Sequence, residues 1–180
     1  MDSLRGHLLL SAASLWDPNF RKTIVLIGHH DDEGAVGVVL NRSTEVTVAE
    51  AVPPLADLVP PGEPLFIGGP VQPQAAVVLA DFEDPSHAEI HALGSIGFLP
   101  EEVDPGEIGG IRRARVFSGY SGWGPGQLEA ELEDGSWIVE PARPEDVFAP
   151  DPDGLWQEVL RRKGRGFDLL RSMPLDPTQN

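Results

Sequence analysis

Two apolar runs stand out early in the chain. Thr23–Gly28 reads Thr-Ile-Val-Leu-Ile-Gly, and Ala35–Leu40 reads Ala-Val-Gly-Val-Val-Leu. Both are rich in β-branched residues, which suit a pleated and packed backbone. Neither alternates apolar with polar positions, so both predict strands covered on two faces. The polar segment His29–Gly34 lies between them, and two such runs around a short glycine-bearing loop predict a β-hairpin.

Weaker signals flank this pair. Gly6–Ala12 predicts a short strand, and Ser14–Phe20 a loop, with Asp17-Pro18-Asn19 as its turn. Thr47 and Glu50 have capping-box spacing and predict a helix start, which Pro53-Pro54 cuts short. Leu65–Ile67 predicts a brief strand running into Gly68-Gly69-Pro70. Ala75–Leu79, Glu89–Leu93 and Gly97–Leu99 predict three more strands, and Pro100–Gly110 an acidic loop. Arg115–Gly119 predicts a strand entering the turn Tyr120–Gly126. Leu128 and Leu132 then share one face of a helix, opened near Pro125 and stopped at Gly135. Ser136–Glu140 predicts a strand. Leu155, Trp156, Val159 and Leu160 form the apolar stripe of a last helix over 154–163. There is no regular strand–helix alternation of the kind that builds a doubly wound sheet. The fold expected is α+β, a bent and mostly antiparallel sheet with short flanking helices, forming one domain over 1–164 with a frayed tail over 165–180.

Composition narrows the chemistry. The chain has 180 residues, no cysteine and a formal net charge of −16. Disulfides, thiolate metal sites and cysteine nucleophiles are thereby excluded. The whole imbalance lies before residue 151, because the last thirty residues carry equal numbers of acids and bases. Such a body argues against direct nucleic-acid binding, which draws its affinity from Lys and Arg on phosphates. Arg161, Arg162, Lys163 and Arg165 gather at the end of the last helix, where cations offset the helix dipole. No apolar stretch is long enough to span a membrane, and no secretory pattern is present, so the expected setting is the cytoplasm.

Three constellations could carry chemistry. Gly119, Gly122, Gly124 and Gly126 surround Tyr120 and Trp123 and precede a helix, a place where backbone N–H groups can hold an anion. The spacing matches neither a dinucleotide fingerprint nor a phosphate loop, and glycines there also let the chain turn around its aromatic anchors. Ser121 nearly completes a nucleophile elbow, but the following glycine comes one position early. Nothing local selects a base from His7, His29, His30, His87 and His91. His29-His30-Asp31-Asp32-Glu33 offers five ligand-type side chains in a row, yet alternate strand residues face opposite ways. Asn41 and Arg42, at the edge of an apolar run, could join the glycine turns in a pocket.

These segments resemble the YqgE/AlgH family. The resemblance rests on Asp17-Pro18-Asn19-Phe20 with Thr23, and on Glu33 through Arg42. It rests also on Gly68-Gly69-Pro70-Val71 and on Gly119 through Leu128 with Glu131, so that it spans roughly residues 5–164. The chain departs from the family pattern at Ala12-Ala13, Ser43 and Ser121, and the last of these weakens a nucleophilic role. The resemblance implies a pseudo-barrel α+β fold and no established reaction, cofactor or metal. Members often carry the label of transcriptional regulator, and one branch is linked by name to control of alginate synthesis. The expected activity is a non-enzymatic binding or regulatory module. The alternatives are a regulator acting on DNA or through a protein partner, and a hydrolase using Ser121 or a metal at His29–Glu33. The expected ligand-binding residues are Asn41, Arg42, Gly68, Gly69, Gly122, Trp123, Gly124 and Gly126. The partner is a protein or small molecule, no cofactor or membrane is implied, and a homo-oligomer stays open.

Overall fold

The computed structural model describes residues 2–12, 22–101 and 109–164. The loop expected over 14–20, most of the acidic loop at 100–110 and the tail from 165 lie outside the described residues. Ten strands form one sheet: β1 (His7–Ser11), β2 (Ile24–Asp31), β3 (Gly34–Val39), β4 (Ser43–Thr47), β5 (Pro64–Ile67), β6 (Val71–Phe82), β7 (Ile90–Leu93), β8 (Ile96–Phe98), β9 (Ile111–Trp123) and β10 (Trp137–Pro141). Among the described residues four short helices accompany them: α1 (Val48–Ala51), α2 (Gln127–Glu133), α3 (Pro144–Val147) and α4 (Leu155–Lys163). The main path runs β10-β1-β2-β3-β9-β6-β8-β7, with β4 and β5 attached through β9. Every pairing is antiparallel except β5 with β9. The sheet is mostly antiparallel, as expected, and is not closed into a barrel.

The two strong runs form the β2–β3 hairpin. Its turn is tighter than expected. β2 continues through His29 and His30 to Asp31, leaving Asp32 and Glu33 as the turn, and Gly34 meets Trp123 so closely that a Cβ there would lie 2.1 Å from its carbonyl oxygen. Ile24, Val25, Leu26 and Ile27 are all fully buried, the two-sided burial that their lack of alternation predicts. One face points into a core shared by Leu8, Leu10, Leu26, Val38, Phe98 and the stripe of α4. The other packs Leu9, Val25, Ile27 and Val39 under Leu128 of α2 and Trp137. A third cluster, Val78, Ala80, Phe82, Ala114 and Val116, lies under Val48 of α1 and the 3₁₀ segment Pro53–Leu58.

The largest departure from the sequence reading is in β9. The expected strand ended at Gly119, before a turn. Instead the strand passes through the glycine motif to Trp123, pairing Ser121 with Gly37, Gly122 with Val36 and Trp123 with Ala35. A residue without a side chain fits at Gly119, where a Cβ would lie 2.7 Å from Gly69 O, so that glycine serves close packing of strands rather than a turn. Strand β6 also starts earlier than expected. Its register against β9 jumps from Val71↔Tyr120 to Ala76↔Ser118, so residues 72–75 arch away from the sheet. Gln72 at the start of that arch has φ +46°, a rare conformation for a residue with a Cβ. The helix ends are as expected. Thr47 Oγ1 accepts the Glu50 N–H at 3.2 Å, and Gly135, at φ +80°, stops α2. Helix α3 and strand β4 were not foreseen.

The sheet bends until β7 lies against β2. Two glycines allow that approach. A Cβ on Gly28 would stand 2.4 Å from Phe98 Cε2, and one on Gly6 would stand 2.9 Å from Ala92 O. These strands pack without ladder hydrogen bonds, so the curl stops short of closure.

Candidate functional site

The expected site residues separate into two places. At the first, Asn41 accepts the Ile24 N–H on Oδ1 (3.2 Å) and donates from Nδ2 to Lys22 O (2.9 Å). Arg42 donates from Nη2 to Thr23 Oγ1 at 2.8 Å, and its carbonyl accepts the Ile67 N–H at 2.8 Å. Asn41 therefore fixes the backbone at 22–24, and Arg42 holds the Thr23 side chain within it. Gly68 follows directly: its N–H donates to Ser118 O, and its carbonyl accepts from Val39 N–H and from Ser121 Oγ (3.1 Å). A Cβ on Gly68 would lie 2.3 Å from Gly119 O, and one on Gly69 2.3 Å from the Tyr120 carbonyl carbon. The structure thus joins Asn41, Arg42, Gly68 and Gly69 to the start of the glycine motif, backbone against backbone.

Gly122, Trp123, Gly124 and Gly126 belong elsewhere. Trp123 is buried and packs edge-on against Trp137, with ring centroids 6.2 Å apart. Gly124 donates its N–H to Gln127 Oε1 at 3.0 Å, and Gly126 adopts the left-handed conformation just before α2. The donors expected to hold an anion are directed partly at α2 itself.

Ser121 is 1% exposed and gives its proton to a backbone carbonyl rather than to a histidine. A nucleophile needs a base within hydrogen-bond reach, and this hydroxyl is engaged without one. The histidine pair is divided by strand alternation. His29 Nε2 meets Asp31 Oδ2 at 2.7 Å on the exposed side. His30 is buried, with Nδ1 accepting the Leu4 N–H (3.0 Å) and Nε2 bonded to Glu129 Oε1 (2.5 Å). Those two bonds specify the Nε2–H tautomer. The His29 hydrogen bond, helped by the Glu33 N–H, holds the Asp31 carboxyl below its ordinary value. Among the described residues no three His, Asp or Glu side chains gather into a metal-binding group.

Two arginines, one buried and one partly solvated, are also structural. Arg115 is 9% exposed, lies over the Phe66 ring at 4.8 Å and donates to Ala149 O at 2.7 Å. Burial lowers its pKa from the ordinary value, and Glu63 opposes that shift. Arg162 meets Asp146 at 2.8 Å and Glu140 at 3.3 Å, and the Asp146 bond raises its pKa.

A groove of about 330 Å³ opens where β7 and β8 curl over β3, β9 and β6. Val36, Val38, Val77, Ile90 and Phe98 supply apolar walls, and Tyr120 reaches it from the glycine motif. Its polar side chains are Gln72, Glu89, Glu101 and Tyr120, and none of them hydrogen-bonds another described residue. Sequence reasoning treated Tyr120 only as an anchor and passed over the other three. Gln72-Pro73 ahead of a strand is a weak signal of the arch, and nothing local marks Glu89 or Glu101.

The fold and groove together define a curled α+β sheet with an apolar recess at its unclosed seam. The chain belongs to the AlgH-like family, whose model matches residues 8–168. It is 41% identical to a UPF0301 protein of Streptomyces coelicolor, over 100% of this chain and 97% of that one. A UPF0301 protein of Mycobacterium marinum is 40% identical, over 97% and 90%. The fold is shared with a crystal structure of a Corynebacterium diphtheriae protein, at TM-score 0.85 and 28% identity over 96% of this chain and 94% of that one. It is shared also with the solution structure of the AlgH protein from Pseudomonas aeruginosa, at TM-score 0.73 and 30% identity over 95% and 94%. The family is of uncharacterised biochemical function, and no specific activity is indicated. Among the described residues no helix is long and apolar enough to cross a membrane.

Proposed function

We propose that this protein is a non-enzymatic binding module, working in the cytoplasm, whose site is the groove between β3, β6, β7, β8 and β9. One observation carries this reading. The groove places four polar side chains, unbonded to other described residues, around apolar walls. That is the composition of small-ligand sites, which are mostly apolar with a few orienting polar groups and occupy roughly 300–1,000 Å³. The Asn41, Arg42 and glycine cluster supports the site from behind, fixing the strand from which Tyr120 projects. Neither alternative gains a specific observation: Ser121 gives its proton to the Gly68 carbonyl rather than to a base, and the net charge of −16 opposes a phosphate backbone.

A fragment screen followed by amide chemical shifts tests the proposal. Hits should move the amides of residues 36–38, 76–77 and 120, and Ala76→Trp, which fills the recess from its rim, should abolish them. Hits that cluster instead at Gly124–Gly126, or that survive Ala76→Trp, would overturn it.

A further inference from the structure

We infer that His30 is a proton-operated latch for the segment 2–5: when neutral it holds that segment against the sheet, and when protonated it releases it. None of the latch residues lines the groove.

The chain enters β1 through a turn closed by the His7 N–H on Leu4 O, with Gly6 in its third position at φ +77°. This turn folds Leu4 back to the end of β2. There the Leu4 N–H reaches His30 Nδ1 at 3.0 Å, and its side chain packs against the cluster that holds Leu9, Val25, Trp123, Leu128 and Trp137. Gly6 is fixed separately, by its N–H on Ile27 O. Among the described residues, the imidazole bond is thus the one hydrogen bond that ties residues 2–4 to anything beyond their own turn.

That bond needs an acceptor at Nδ1. His30 supplies one only while its proton sits on Nε2, facing Glu129 Oε1 at 2.5 Å. In an imidazolium both ring nitrogens donate. Nδ1–H then meets the Leu4 N–H, donor against donor. The bond to Glu129 becomes an ion pair and keeps the ring in place. Because the His30 side chain is 4% exposed, the new Nδ1–H finds water only if the segment moves away. Protonation therefore strengthens the contact with α2 and breaks the contact with Leu4.

Imidazole changes charge between pH 5 and 8, and the groups around this ring are mostly acidic. Glu129 meets it from α2, which also carries Glu131 and Glu133. β3 sets Ala35 opposite it and has no titratable side chain. On β2, His29 and Asp31 bond to each other, and Asp31 is near enough to feel the His30 charge. Asp32 and Glu33 of the hairpin turn are exposed, as are Asp2 and Arg5 of the segment, and His7 Nδ1 is turned to Arg5 O. The acids outnumber Arg5 and favour the imidazolium as pH falls.

Nuclear magnetic resonance of the full chain, titrated from about pH 8 to about pH 5.5, tests the latch. The ring nitrogen shifts of His30 report its tautomer and its titration. The Leu4 amide shift and the order parameters of residues 2–4 report the segment. At the alkaline end the ring should carry its proton on Nε2. On acidification the order parameters should fall from about 0.85 to below about 0.6, with the midpoint of the His30 ring, while the amides of Leu9 and Val25 stay rigid. His30→Gln has no proton to gain in this range and should show no transition at residues 2–4. Glu129→Gln removes the anion that favours the imidazolium and should move the transition to lower pH. A ring protonated on Nδ1 at the alkaline end overturns the latch. So does a ring that titrates while residues 2–4 stay ordered, a ring that stays neutral throughout, or a transition that survives His30→Gln. Loosening of Leu9 and Val25 together with Leu4 marks general unfolding and overturns it as well. Should His30→Gln fail to fold, the agreement of the two midpoints in the unaltered chain decides.

Discussion

Trp123 donates its indole N–H to Glu131 Oε1 at 3.0 Å. Trp137 donates to the same oxygen at 2.8 Å, and Gln127 holds the other carboxylate oxygen at 3.0 Å. One side chain on α2 therefore satisfies two buried indoles from two different strands. The physical content of the Trp123–Glu131 stretch is this clamp, which fixes α2 over Leu9, Val25 and Val39. Glu131→Ala removes the acceptor that both indole N–H groups share and should cost about 2–4 kcal/mol, since losing a buried hydrogen-bond partner costs about 1–3. Glu131→Gln keeps an acceptor and should cost less than half as much. Urea unfolding followed by tryptophan fluorescence measures both, and equal losses in the two variants would show that the carboxylate is not the organising group.

The glycines of the same motif separate by role. Gly119 has φ +71°, and a Cβ there would lie 2.7 Å from Gly69 O and 2.8 Å from Val71 O. Strain and overpacking coincide, and Gly119→Ala should destabilise by roughly 2–4 kcal/mol. Gly124 has open space, its nearest contact being Gln127 Oε1 at 3.9 Å, and Gly124→Ala should change stability by less than about 0.5 kcal/mol. Denaturation midpoints decide this. A loss at position 124 as large as that at 119 would mean that the motif is one rigid turn, as its glycine spacing first suggests.

What could be read from sequence follows the range of the interaction. Residues 24–27 and 35–39 announce buried strands because β-branched runs are a local signal, and Thr47, Gly135 and the stripe Leu155-Trp156-Val159-Leu160 announce helix ends and faces for the same reason. The path of β9 was hidden. Four glycines within eight residues look like a turn, and only the close approach of Gly119 to Gly68 and Gly69, some fifty residues away, marks the strand crossing. Asn41 and Arg42 were noticed, but which backbone they fix depends on how the chain returns at residue 22. The groove was the least legible part. Glu89 and Glu101 become neighbours of Val36 and Tyr120 only through the curl of the sheet, and no residue spacing encodes a curl. The sequence assigns the four cations at the end of the last helix to balancing its dipole, whereas two of them, Arg162 and Lys163, reach across to β10.

Those two cations protect a sheet edge. In β10 the amide and carbonyl groups that face β1 belong to the even-numbered positions, as the bonds Ala12 N–H to Ser136 O and Ala142 N–H to Gly6 O show. The carbonyls of Val139 and Pro141 consequently face outward. Lys163 Nζ donates to Val139 O at 2.7 Å, and Arg162 Nη2 to Pro141 O at 3.3 Å. An open edge invites pairing with a second strand, and lysine is a common guard against it. Arg162 does more, because it also holds the buried carboxylate of Asp146. Arg162→Ala should therefore cost about 2–3 kcal/mol, somewhat under the value for breaking a fully buried pair, since Arg162 is partly solvated. Lys163→Ala should cost under about 1 kcal/mol, as exposed charge contacts do. Its effect should appear in association instead: with both cations replaced, light scattering should rise with protein concentration at temperatures below the unfolding transition. A double variant that loses stability but stays monomeric at high concentration would show that α4 covers the edge by its backbone alone, without help from its cations.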